Sequence, residues 1–325
     1  MKVHAIRIHK FGGPEVLKWE QVEVPDPVQD EVQIRHTAIG LNFIDTYHRT
    51  GLYPVHLPTG LGSEASGIVE AVGPSVTDIA VGDRVVYTGG PVDSYSELRN
   101  FPAALLAPIP ASMSNEHAAA VFLKGLTAWY LLRRSYRVNK GDAVLLYAAA
   151  GGVGSLVSQW AKHLGAIVIG VVSTDEKAEL ARAQGCKHII MADDIDIPGA
   201  VRKFTGGEGV AAVYDSVGRD TFFASLDSLK PHGTMVTFGN SSGPVAPFAP
   251  AELAKRGSLY VTRPILFHFV NNREKFLHAC DELFEVVANT AVSIRIGQRY
   301  ALKNVEKAHR DLEARKTTNS TILLP

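Results

Sequence analysis

Ala148-Ala149-Ala150-Gly151-Gly152-Val153-Gly154 is the most informative stretch of this 325-residue sequence. It follows an apolar run at residues 143–147 and precedes a segment with apolar residues at helical spacing. A glycine-rich turn between a strand and a helix lets the backbone approach phosphate groups, and the helix N-terminus offers N–H groups and a partial positive charge. The spacing is that of G-x-G-x-x-G with alanine first: Ala149, Gly151, Gly154. The stretch therefore predicts a site for a dinucleotide pyrophosphate.

The segments around this turn supply the context that the motif requires. One helix face is formed by residues at i, i+3, i+4, i+7, i+8 and i+11, which are Val153, Leu156, Val157, Trp160, Ala161 and Leu164. Gly165 is a stop signal for this helix, and residues 166–172 form a continuous apolar run suited to a strand buried on both faces. The turn is thus predicted to lie in a βαβ unit, the alternative being an ordinary glycine-rich turn.

The middle of the chain repeats this alternation of strands and helices. The predicted strands are residues 144–148, 167–172, 188–191, 210–215, 234–238 and 258–261. Helical patterns lie between most of them, for example at residues 175–184 and 221–229. Strands joined by helical crossovers form an open, mainly parallel sheet with helices on both faces. The expected fold class is therefore α/β, with a doubly wound Rossmann sheet.

The two ends of the chain read differently from the middle. Short β-rich runs at residues 32–38, 67–72 and 84–87 are separated by turns rich in Gly and Pro, which predicts a mostly β domain. The tail carries two helical patterns, one around Phe276 and Leu283 and one at residues 305–312. Its last apolar run, residues 321–324, is predicted to be a strand that returns to the β domain. The joint between the domains is expected near residues 115–134.

Composition narrows the classes of protein that fit. A hydrophobic content of 46% and a charged content of 20% are typical of a globular protein of about two domains. Lys+Arg and Asp+Glu both number 33, which argues against a broad basic surface for nucleic acid or for a membrane. The longest apolar stretch, residues 143–157, is broken by three glycines and is too short for a membrane span. The N-terminus has no secretory h-region, so a cytoplasmic location is expected.

Cysteine usage excludes two kinds of structural support. The chain has two cysteines, Cys186 and Cys280, which is too few for a disulfide framework or a four-cysteine zinc site. Both are expected to be buried or half-buried thiols.

Seven segments stand in order along most of the chain: Phe-Gly-Gly-Pro-Glu-Val-Leu at 11–17, Gly-Leu-Asn-Phe-Ile-Asp-Thr-Tyr at 40–47, Gly-Leu-Gly-Ser-Glu at 60–64, Phe-Leu-Lys-Gly-Leu-Thr at 122–127, the glycine turn, Tyr-Asp-Ser-Val-Gly at 214–218 and Phe-Gly-Asn-Ser-Ser at 238–242. Taken together, they resemble the zinc-independent quinone oxidoreductases, the ζ-crystallin branch of the medium-chain dehydrogenase/reductase superfamily. Within that branch the sequence is similar to the bacterial NADPH:quinone oxidoreductases.

The resemblance implies an arrangement of domains and an oligomeric state. Residues 1–122 would form a GroES-like catalytic domain, residues 123–263 a Rossmann dinucleotide-binding domain, and residues 264–325 a C-terminal segment that completes the first domain. The protein would be a homodimer.

The resemblance also implies that the protein uses no metal. Zinc-bearing alcohol dehydrogenases of the superfamily hold their catalytic metal with a Cys and a Gly-His-Glu motif, and Asn42 and Ser63 stand at the corresponding places. Neither an amide nor a hydroxyl is a typical zinc ligand. The twelve histidines show no pair at metal-ligand spacing, and most are expected at the surface.

A reduced nicotinamide cofactor without a metal suits acceptors that are already electrophilic. Quinones fit, because the arriving charge spreads over the conjugated ring and its oxygens. The expected activity is NADPH-dependent quinone reduction, and reduction of α,β-unsaturated ketones or alkenals is an alternative with the same hydride geometry. A second alternative is a non-enzymatic, crystallin-like protein that binds nucleotide or RNA. The zero net charge and the lack of an Arg/Lys-aromatic stripe argue against RNA.

The residues that the resemblance places at the reaction site are Asn42, Asp45, Tyr47, Tyr53 and Lys124. Asn42 and Tyr47 would hydrogen-bond the nicotinamide ribose or the acceptor oxygen, and the two tyrosines would stack on a flat ring. The alternative for each tyrosine is a core aromatic whose hydroxyl meets water. Lys124 is expected to open the joint helix and approach the cofactor, the alternative being a lysine whose amine reaches solvent. No proton donor is assigned.

The cofactor is expected to be NADPH. The contacts implied by the family pattern are Asn42, Lys124, Ala150, Gly151, Gly152, Val153, Gly154, Ser173, Thr174, Lys177, Ser216, Val217, Phe238, Gly239, Asn240, Ser242, Arg263 and Asn319. The second strand ends at Ser173, where NAD sites typically have an acidic residue. Lys177 would pair with the 2′-phosphate of NADPH; the alternative is that Lys177 is a solvated helix residue. Relatives often have a Tyr or Arg where residues 191–194 read Met-Ala-Asp-Asp. This departure leaves open the strength of the preference for NADPH over NADH, but not its direction. Arg263 has an alternative role in supporting a dimer edge at residues 258–261.

Overall fold

The computed structural model describes residues 1–193 and 196–325, and by its internal contacts the chain divides into two compact units. Unit 1 comprises Met1–Lys124 and Ile294–Pro325, and unit 2 comprises Gly125–Ser293.

The helices and strands of the described residues are numbered in chain order. The strands are β1 (Lys2–Ile8), β2 (Lys18–Glu23), β3 (Glu31–Leu41), β4 (Thr59–Gly60), β5 (Glu64–Val72), β6 (Arg84–Thr88), β7 (Leu98–Pro102), β8 (Leu106–Pro108), β9 (Ala143–Tyr147), β10 (Ile167–Val172), β11 (Cys186–Met191), β12 (Val210–Asp215), β13 (Leu229–Thr237), β14 (Tyr260–Thr262), β15 (Ile296–Ala301) and β16 (Ser320–Leu324). The α-helices are α1 (Phe43–Thr50), α2 (Asn115–Tyr130), α3 (Gly152–His163), α4 (Asp175–Ala183), α5 (Ile197–Phe204), α6 (Phe222–Asp227), α7 (Ala251–Lys255), α8 (Leu266–Phe269), α9 (Arg273–Ala288) and α10 (Val305–Glu313).

Unit 2 contains the predicted doubly wound sheet. Its six strands run in the order β11-β10-β9-β12-β13-β14, and every neighbouring pair is parallel. Every residue of β12 is buried, as expected for a parallel strand covered on both faces. The strand order reverses between β9 and β12, and dinucleotides bind at such a switch point, outside the carboxyl ends of the strands. The predicted α/β fold class is confirmed.

The predicted strands of this sheet are present, with small shifts that have a local cause. Strand β9 ends at Tyr147 because Ala148 adopts a left-handed φ of +52° and turns the chain toward α3. Strand β14 begins at Tyr260 rather than at Ser258, whose φ is +56°. Residues in this region of φ do not continue a strand.

Unit 1 is the predicted mostly β part. A three-stranded sheet has the order β2-β1-β4, and a seven-stranded sheet has the order β15-β16-β3-β5-β6-β8 with β7 also paired to β3. Strand β16 pairs antiparallel with β3, so the last strand does return to the β domain as predicted. Leu302, Val305 and Leu323 from the C-terminal segment join the same buried core as Ile34 and Phe101.

The division of the chain differs from the expected one after residue 263. The first boundary lies between Lys124 and Gly125, within the expected joint, but residues 264–293 group with unit 2 instead of completing the first domain. Their apolar contacts explain this: a Cβ on Gly125 would lie 2.5 Å from Cδ1 of Leu283, and Phe269 stacks on Tyr130 with ring centroids 5.6 Å apart. The segment that completes unit 1 is therefore Ile294–Pro325.

Helix α2 also begins earlier than expected. Its first residue is Asn115, so Lys124 lies in the body of the helix and does not open it. Within the residues that the structure describes, the helices all fall short of the combination of length and hydropathy needed to cross a bilayer.

The close contact between α3 and the preceding turn yields a stability prediction. A Cβ on Gly154 would lie 2.2 Å from the carbonyl oxygen of Ala148. Gly154→Ala should therefore lower the free energy of unfolding by about 1–3 kcal/mol through overpacking. The helix preference of alanine offsets at most about 1 kcal/mol of this loss. Urea denaturation followed by circular dichroism measures the difference.

Gly151→Ala is the matched control, because its Cβ would lie 3.1 Å from the same carbonyl oxygen. The control should lose distinctly less stability than Gly154→Ala. Equal losses for the two variants would show that the contact with Ala148 is not the limiting one.

Candidate active site

The N-terminus of α1 carries the first group of predicted site residues, all in unit 1. Asn42 is the N-cap of α1 and is buried. Its backbone N–H donates to Oδ2 of Asp45 at 2.9 Å, and its side-chain Nδ2 donates to Oε2 of Glu64 at 2.8 Å. A carboxylate at the third position of a helix that accepts from the N-cap N–H satisfies one otherwise unpaired donor. The orientation of the Asn42 amide is thus set by Glu64.

Lys124 joins the same carboxylate from α2. Its Nζ lies 3.5 Å from Oε2 of Glu64, and both side chains are buried. The other carboxylate oxygen of Glu64 accepts from the backbone N–H of Leu123. A buried carboxylate requires such donors, because water is not available to solvate it. The alternative that the amine of Lys124 reaches solvent is wrong. Glu64 contacts both Asn42 and Lys124, although its motif at 60–64 did not mark it as a candidate.

Asp45 is completely buried. Besides the N–H of Asn42, its carboxylate accepts from the hydroxyl of Tyr95 at 2.7 Å and from that of Ser63 at 3.1 Å. Burial raises the pKa of Asp45 to about 6, while these hydrogen bonds and the charge of Lys124 act in the opposite direction. Asp45 therefore faces the interior of unit 1, where its carboxylate accepts hydrogen bonds from Asn42, Ser63 and Tyr95.

The two predicted tyrosines lie together. The rings of Tyr47 and Tyr53 meet edge to face with centroids 5.1 Å apart, and Phe43 packs on Tyr47 at 5.6 Å. Tyr47 is buried and Tyr53 is half-buried. Tyr47 thus has the packing of a core aromatic, whereas Tyr53 keeps part of its surface exposed. Asn319 lies directly before β16 with a left-handed φ of +52°, which asparagine tolerates well.

The positions of the superfamily's catalytic zinc do not fit a metal in this chain. The amide of Asn42 and the hydroxyl of Ser63 both act as donors to carboxylates, and neither is a typical zinc ligand. No group of three or more His, Cys, Asp or Glu side chains that could hold a metal occurs within residues 1–193 and 196–325. Most histidines are exposed or half-buried as expected, but His36 and His309 are buried.

The glycine turn in unit 2 has the geometry of a phosphate site. Gly151 is the N-cap of α3, and Gly152, Val153 and Gly154 form its first turn. Backbone N–H groups in the first turn of a helix have no acceptor within that helix, and this turn contains no acidic residue. Ala150 is buried beside the turn. These residues fit a pyrophosphate.

Two loops follow the carboxyl ends of β12 and β13 and are tied to each other. The backbone N–H and the hydroxyl of Ser242 both donate to the carbonyl of Val217 at 2.9 Å. A Cβ on Gly239 would lie 2.3 Å from the carbonyl oxygen of Ser216, so this close approach requires glycine. The predicted residues 216–217 and 238–242 are thus brought together.

Asp215 organises the first of these loops and was not selected from the sequence. Its Oδ1 accepts from the N–H groups of Val217 and Gly218 at 2.7 and 3.1 Å. Its Oδ2 accepts from the hydroxyls of Thr221 and Ser225 at 2.7 and 2.8 Å. A buried carboxylate with four donors holds its surroundings in one conformation. Its place at the end of a buried strand, before Gly218, is the signal that could have identified it.

A pocket of about 540 Å³ lies beside these loops within unit 2. Asn240, Thr237 and Arg263 supply its polar lining, with Phe222 and Phe248 among its apolar walls. Arg263 donates to the carbonyl of Gly239 at 2.9 Å and is exposed. Asn240 and Arg263, both predicted from the family pattern, therefore line one pocket.

The end of β10 carries the residues predicted to select the cofactor. Ser173 and Thr174 are exposed, and Thr174 caps α4 by accepting from the N–H of Lys177 at 3.3 Å. The N–H of Ala192 donates to the carbonyl of Val172 at 2.7 Å, so the segment after β11 lies beside this strand end. Asp193 is exposed there, and Asp194 lies outside the described residues.

Comparison with known proteins agrees with this geometry. Residues 28–111 match the alcohol dehydrogenase GroES-like domain, and residues 152–282 match the zinc-binding dehydrogenase family. A quinone oxidoreductase of Pseudomonas aeruginosa is 48% identical over 321 residues, covering 98% of this chain and 99% of that protein. A 2-haloacrylate reductase of a Burkholderia species is 44% identical over 330 residues, covering 99% of both.

A solved structure extends the comparison to three dimensions. Escherichia coli quinone oxidoreductase complexed with NADPH has a TM-score of 0.97 and 47% sequence identity, covering 99% of this chain and 100% of that chain. Identity at this level over the full length, together with a donor set that does not suit zinc, confirms the resemblance found in the sequence. The chain belongs to the zinc-independent quinone oxidoreductases of the medium-chain dehydrogenase/reductase superfamily.

Proposed function

We propose that this protein is an NADPH-dependent oxidoreductase that reduces quinones by hydride transfer without a metal ion. The observation that carries the proposal is the full-length similarity to a quinone oxidoreductase whose structure contains NADPH. The first turn of α3 and the paired loops of unit 2 fit a dinucleotide, as described above. When bound, NADPH supplies the hydride.

The residues of unit 2 would bind and orient the cofactor. Ala150 and the first turn of α3 would receive the pyrophosphate. Ser173, Thr174 and Lys177 would receive the 2′-phosphate, because a serine at this strand end adds no negative charge and a lysine adds a positive one. The predicted residues of the two paired loops, with Arg263, would contact the nicotinamide half, and Asn319 of unit 1 is proposed as a further contact.

Four residues of unit 1 are proposed to contact the cofactor or the acceptor: Asn42, Tyr47, Tyr53 and Lys124. Glu64 accepts from Asn42 and Lys124 and thereby holds both side chains in place. Lys124 would place a positive charge near the negative charge that arrives on the acceptor, which favours hydride transfer. Asp45 is proposed to act through Asn42, since its carboxylate is buried and accepts from the Asn42 N–H.

A second acceptor class is supported by one relative. The 2-haloacrylate reductase is 44% identical, and a haloacrylate is an alkene activated by a carboxylate. The same cofactor geometry would serve such an alkene. We place quinones first because more of the similar proteins carry that activity in their names.

We further propose that the protein is a cytoplasmic homodimer. Strand β14 is an edge of the six-stranded sheet, and an edge strand presents unpaired backbone groups to a partner. Tyr260 on this strand is 62% exposed, and Ile265 and Phe267 nearby are 50% and 40% exposed. The cytoplasmic location is supported by the unpaired thiols of Cys186 and Cys280.

Acceptor preference is predicted to favour quinones. Steady-state oxidation of NADPH with 1,4-benzoquinone, a polycyclic quinone, an alkenal and 2-chloroacrylate should be fastest with one of the quinones. A quinone ring is electrophilic enough to accept hydride without a Lewis acid. The carboxylate of a haloacrylate withdraws electrons less strongly than the two carbonyl groups of a quinone, so its alkene should accept hydride more slowly. Negligible quinone turnover beside rapid alkenal or haloacrylate turnover would favour the second acceptor class.

Cofactor choice is predicted to depend on Lys177. Lys177→Ala should weaken NADPH binding by about 1–3 kcal/mol, or about 5- to 150-fold, through loss of a charge-assisted contact. NADH binding should be nearly unchanged. Fluorescence titration of both cofactors measures the two effects, with Lys203→Ala on α5 as the control for general loss of positive charge. Equal weakening of NADPH and NADH would remove Lys177 from this role.

The oligomeric state is predicted to depend on the edge of the large sheet. Tyr260→Asp should shift the protein from dimer toward monomer in analytical ultracentrifugation, because a buried carboxylate opposes pairing of two apolar edges. Val81→Asp is the control, as Val81 is 63% exposed in unit 1. A wild-type protein that sediments as a monomer would contradict the proposed dimer.

A further inference from the structure

A line of buried polar side chains connects α1 to α10 within unit 1. The hydroxyl of Tyr95 lies 2.7 Å from Oδ2 of Asp45 and 3.1 Å from Nε2 of His309. Nδ1 of His309 lies 2.9 Å from Nη1 of Arg49, and Arg49 pairs with both carboxylate oxygens of Glu313 at 2.6 and 3.0 Å. Asp45, Tyr95, His309 and Arg49 are each at most 1% exposed. This line is called the Asp45–Arg49 relay below.

The chemistry of the four side chains fixes the direction of every hydrogen bond in the relay. An arginine side chain only donates, so Nδ1 of His309 accepts. The proton of a neutral imidazole must then be on Nε2, which donates to the oxygen of Tyr95. The hydroxyl proton of Tyr95 is left for Asp45. All donors thus point from Arg49 toward the Asp45 carboxylate.

The protonation states of the relay agree with this direction. Burial, and secondarily the charge of Arg49, lowers the pKa of His309 to about 3, so the imidazole is neutral. Burial raises the pKa of Tyr95 well above its usual value, so the hydroxyl keeps its proton. Glu313, with a side chain that is 35% exposed, neutralises Arg49 at the outer end. The relay therefore presents a fixed hydrogen-bond donor to Asp45.

Asp45 is the link between the relay and the proposed reaction site. Its carboxylate accepts from the N–H of Asn42, the N-cap of α1, and the side chain of Asn42 belongs to the group held by Glu64. The charged form of a carboxylate accepts a hydrogen bond more strongly than the neutral form. Any group that keeps Asp45 ionised therefore also keeps Asn42 in place.

We propose that Tyr95, His309 and Arg49 are positioning residues for the reduction, which keep the Asp45 carboxylate ionised and thereby hold the backbone of Asn42 at the start of α1, while Glu64 orients the Asn42 side chain. The proposal rests on the proposed role of Asn42 in the reaction. None of the three residues was a candidate in the sequence, since they lie 50, 214 and 260 positions from their partners along the chain. They extend the proposed reaction site by a chain of buried hydrogen bonds that ends on the Asp45 carboxylate.

The charged and titratable groups around Asp45 determine how its protonation responds to pH. Tyr95 from the loop before β7 and Lys124 from α2 act on Asp45 directly. Arg49 from α1, Glu64 at the start of β5 and His309 from α10 act on Tyr95. Since burial raises the pKa of Asp45 to about 6, the native state binds a proton more tightly than the unfolded chain. The stability linked to this proton is lost as pH rises from about 4 to about 6. Removal of a donor should move the upper end of this window toward neutral pH.

The test removes the Tyr95 hydroxyl alone. Tyr95→Phe should shift the acid limb of the pH profile of kcat/KM upward by about one pH unit, the scale of one lost hydrogen bond to a charged group. The direct readout is the carbonyl stretch of a protonated carboxyl, followed against pH by difference infrared spectroscopy with Asp45→Asn as the reference. The midpoint of this infrared titration should also shift upward by about one pH unit in Tyr95→Phe, with no cofactor present.

Tyr87→Phe is the matched control. Tyr87 is also fully buried in unit 1, and its hydroxyl lies 2.9 Å from Nε2 of a buried histidine, His36, but it does not contact Asp45. This variant should lose stability and leave both midpoints where they are in the wild type. Unchanged midpoints in Tyr95→Phe, or equal shifts in the two variants, would overturn the proposal.

A second pair of variants protects the test against misfolding of Tyr95→Phe. The amide of glutamine offers an acceptor and a donor much as Nδ1 and Nε2 of a neutral imidazole do. His309→Gln should keep the wild-type infrared midpoint, and His309→Leu should raise it. The infrared titration needs no turnover, so a shifted midpoint in a protein that does not reduce quinones would refute the proposed function and leave the relay standing.

Discussion

A buried negative charge on Glu64 is the constraint on which the arrangement of unit 1 depends. Its carboxylate lies at the start of β5, has no exposed surface, and accepts from the side chain of Asn42, the ammonium of Lys124 and the backbone of Leu123. Removal of the Lys124 ammonium would leave the buried carboxylate without a countercharge, and breaking a buried ion pair in this way costs about 3–5 kcal/mol. The N-terminus of α1 and the middle of α2 are therefore held where Glu64 requires them.

The same places serve a different purpose in the zinc-bearing members of the superfamily. One of the two matching families is described as a zinc-binding dehydrogenase, yet this chain has an amide, Asn42, and a hydroxyl, Ser63, at the positions where the resemblance implies metal ligands. Asn42 donates to Glu64 and Ser63 donates to Asp45, so both side chains have become parts of a buried hydrogen-bonded network. Such a network is rigid because each member has a partner, and its rigidity suits the orientation of a cofactor that carries its own reactive hydride.

Unit 2 depends on another close approach, that of the glycine turn to the end of β9. The absence of a side chain at Gly154 lets α3 pack against the backbone of Ala148. On the far side of the switch point, Asp215 holds the loop after β12 through four hydrogen bonds. Both features involve backbone N–H groups. Those in the first turn of α3 have no acceptor within the helix, whereas those of Val217 and Gly218 donate to Asp215 and fix the loop. Both features lie at the carboxyl ends of parallel strands, next to the switch point of the sheet.

Periodicity and turn chemistry were sufficient to predict the parallel sheet, the mostly β unit, the return of β16 and the pairing of a glycine turn with α3, because these depend on residues close together in sequence. The association of residues 264–293 with unit 2 could not be read from the chain, since it rests on contacts such as that between Gly125 and Leu283. Motif resemblance selected Asn42 and Lys124 as candidates, but not the carboxylate of Glu64 that contacts both, nor Tyr95 and His309, which are linked to Asp45. Hydrogen bonds between side chains that lie 22 to 260 positions apart leave no pattern in a single sequence, and only the folded chain brings their donors and acceptors to 2.7–3.5 Å from one another.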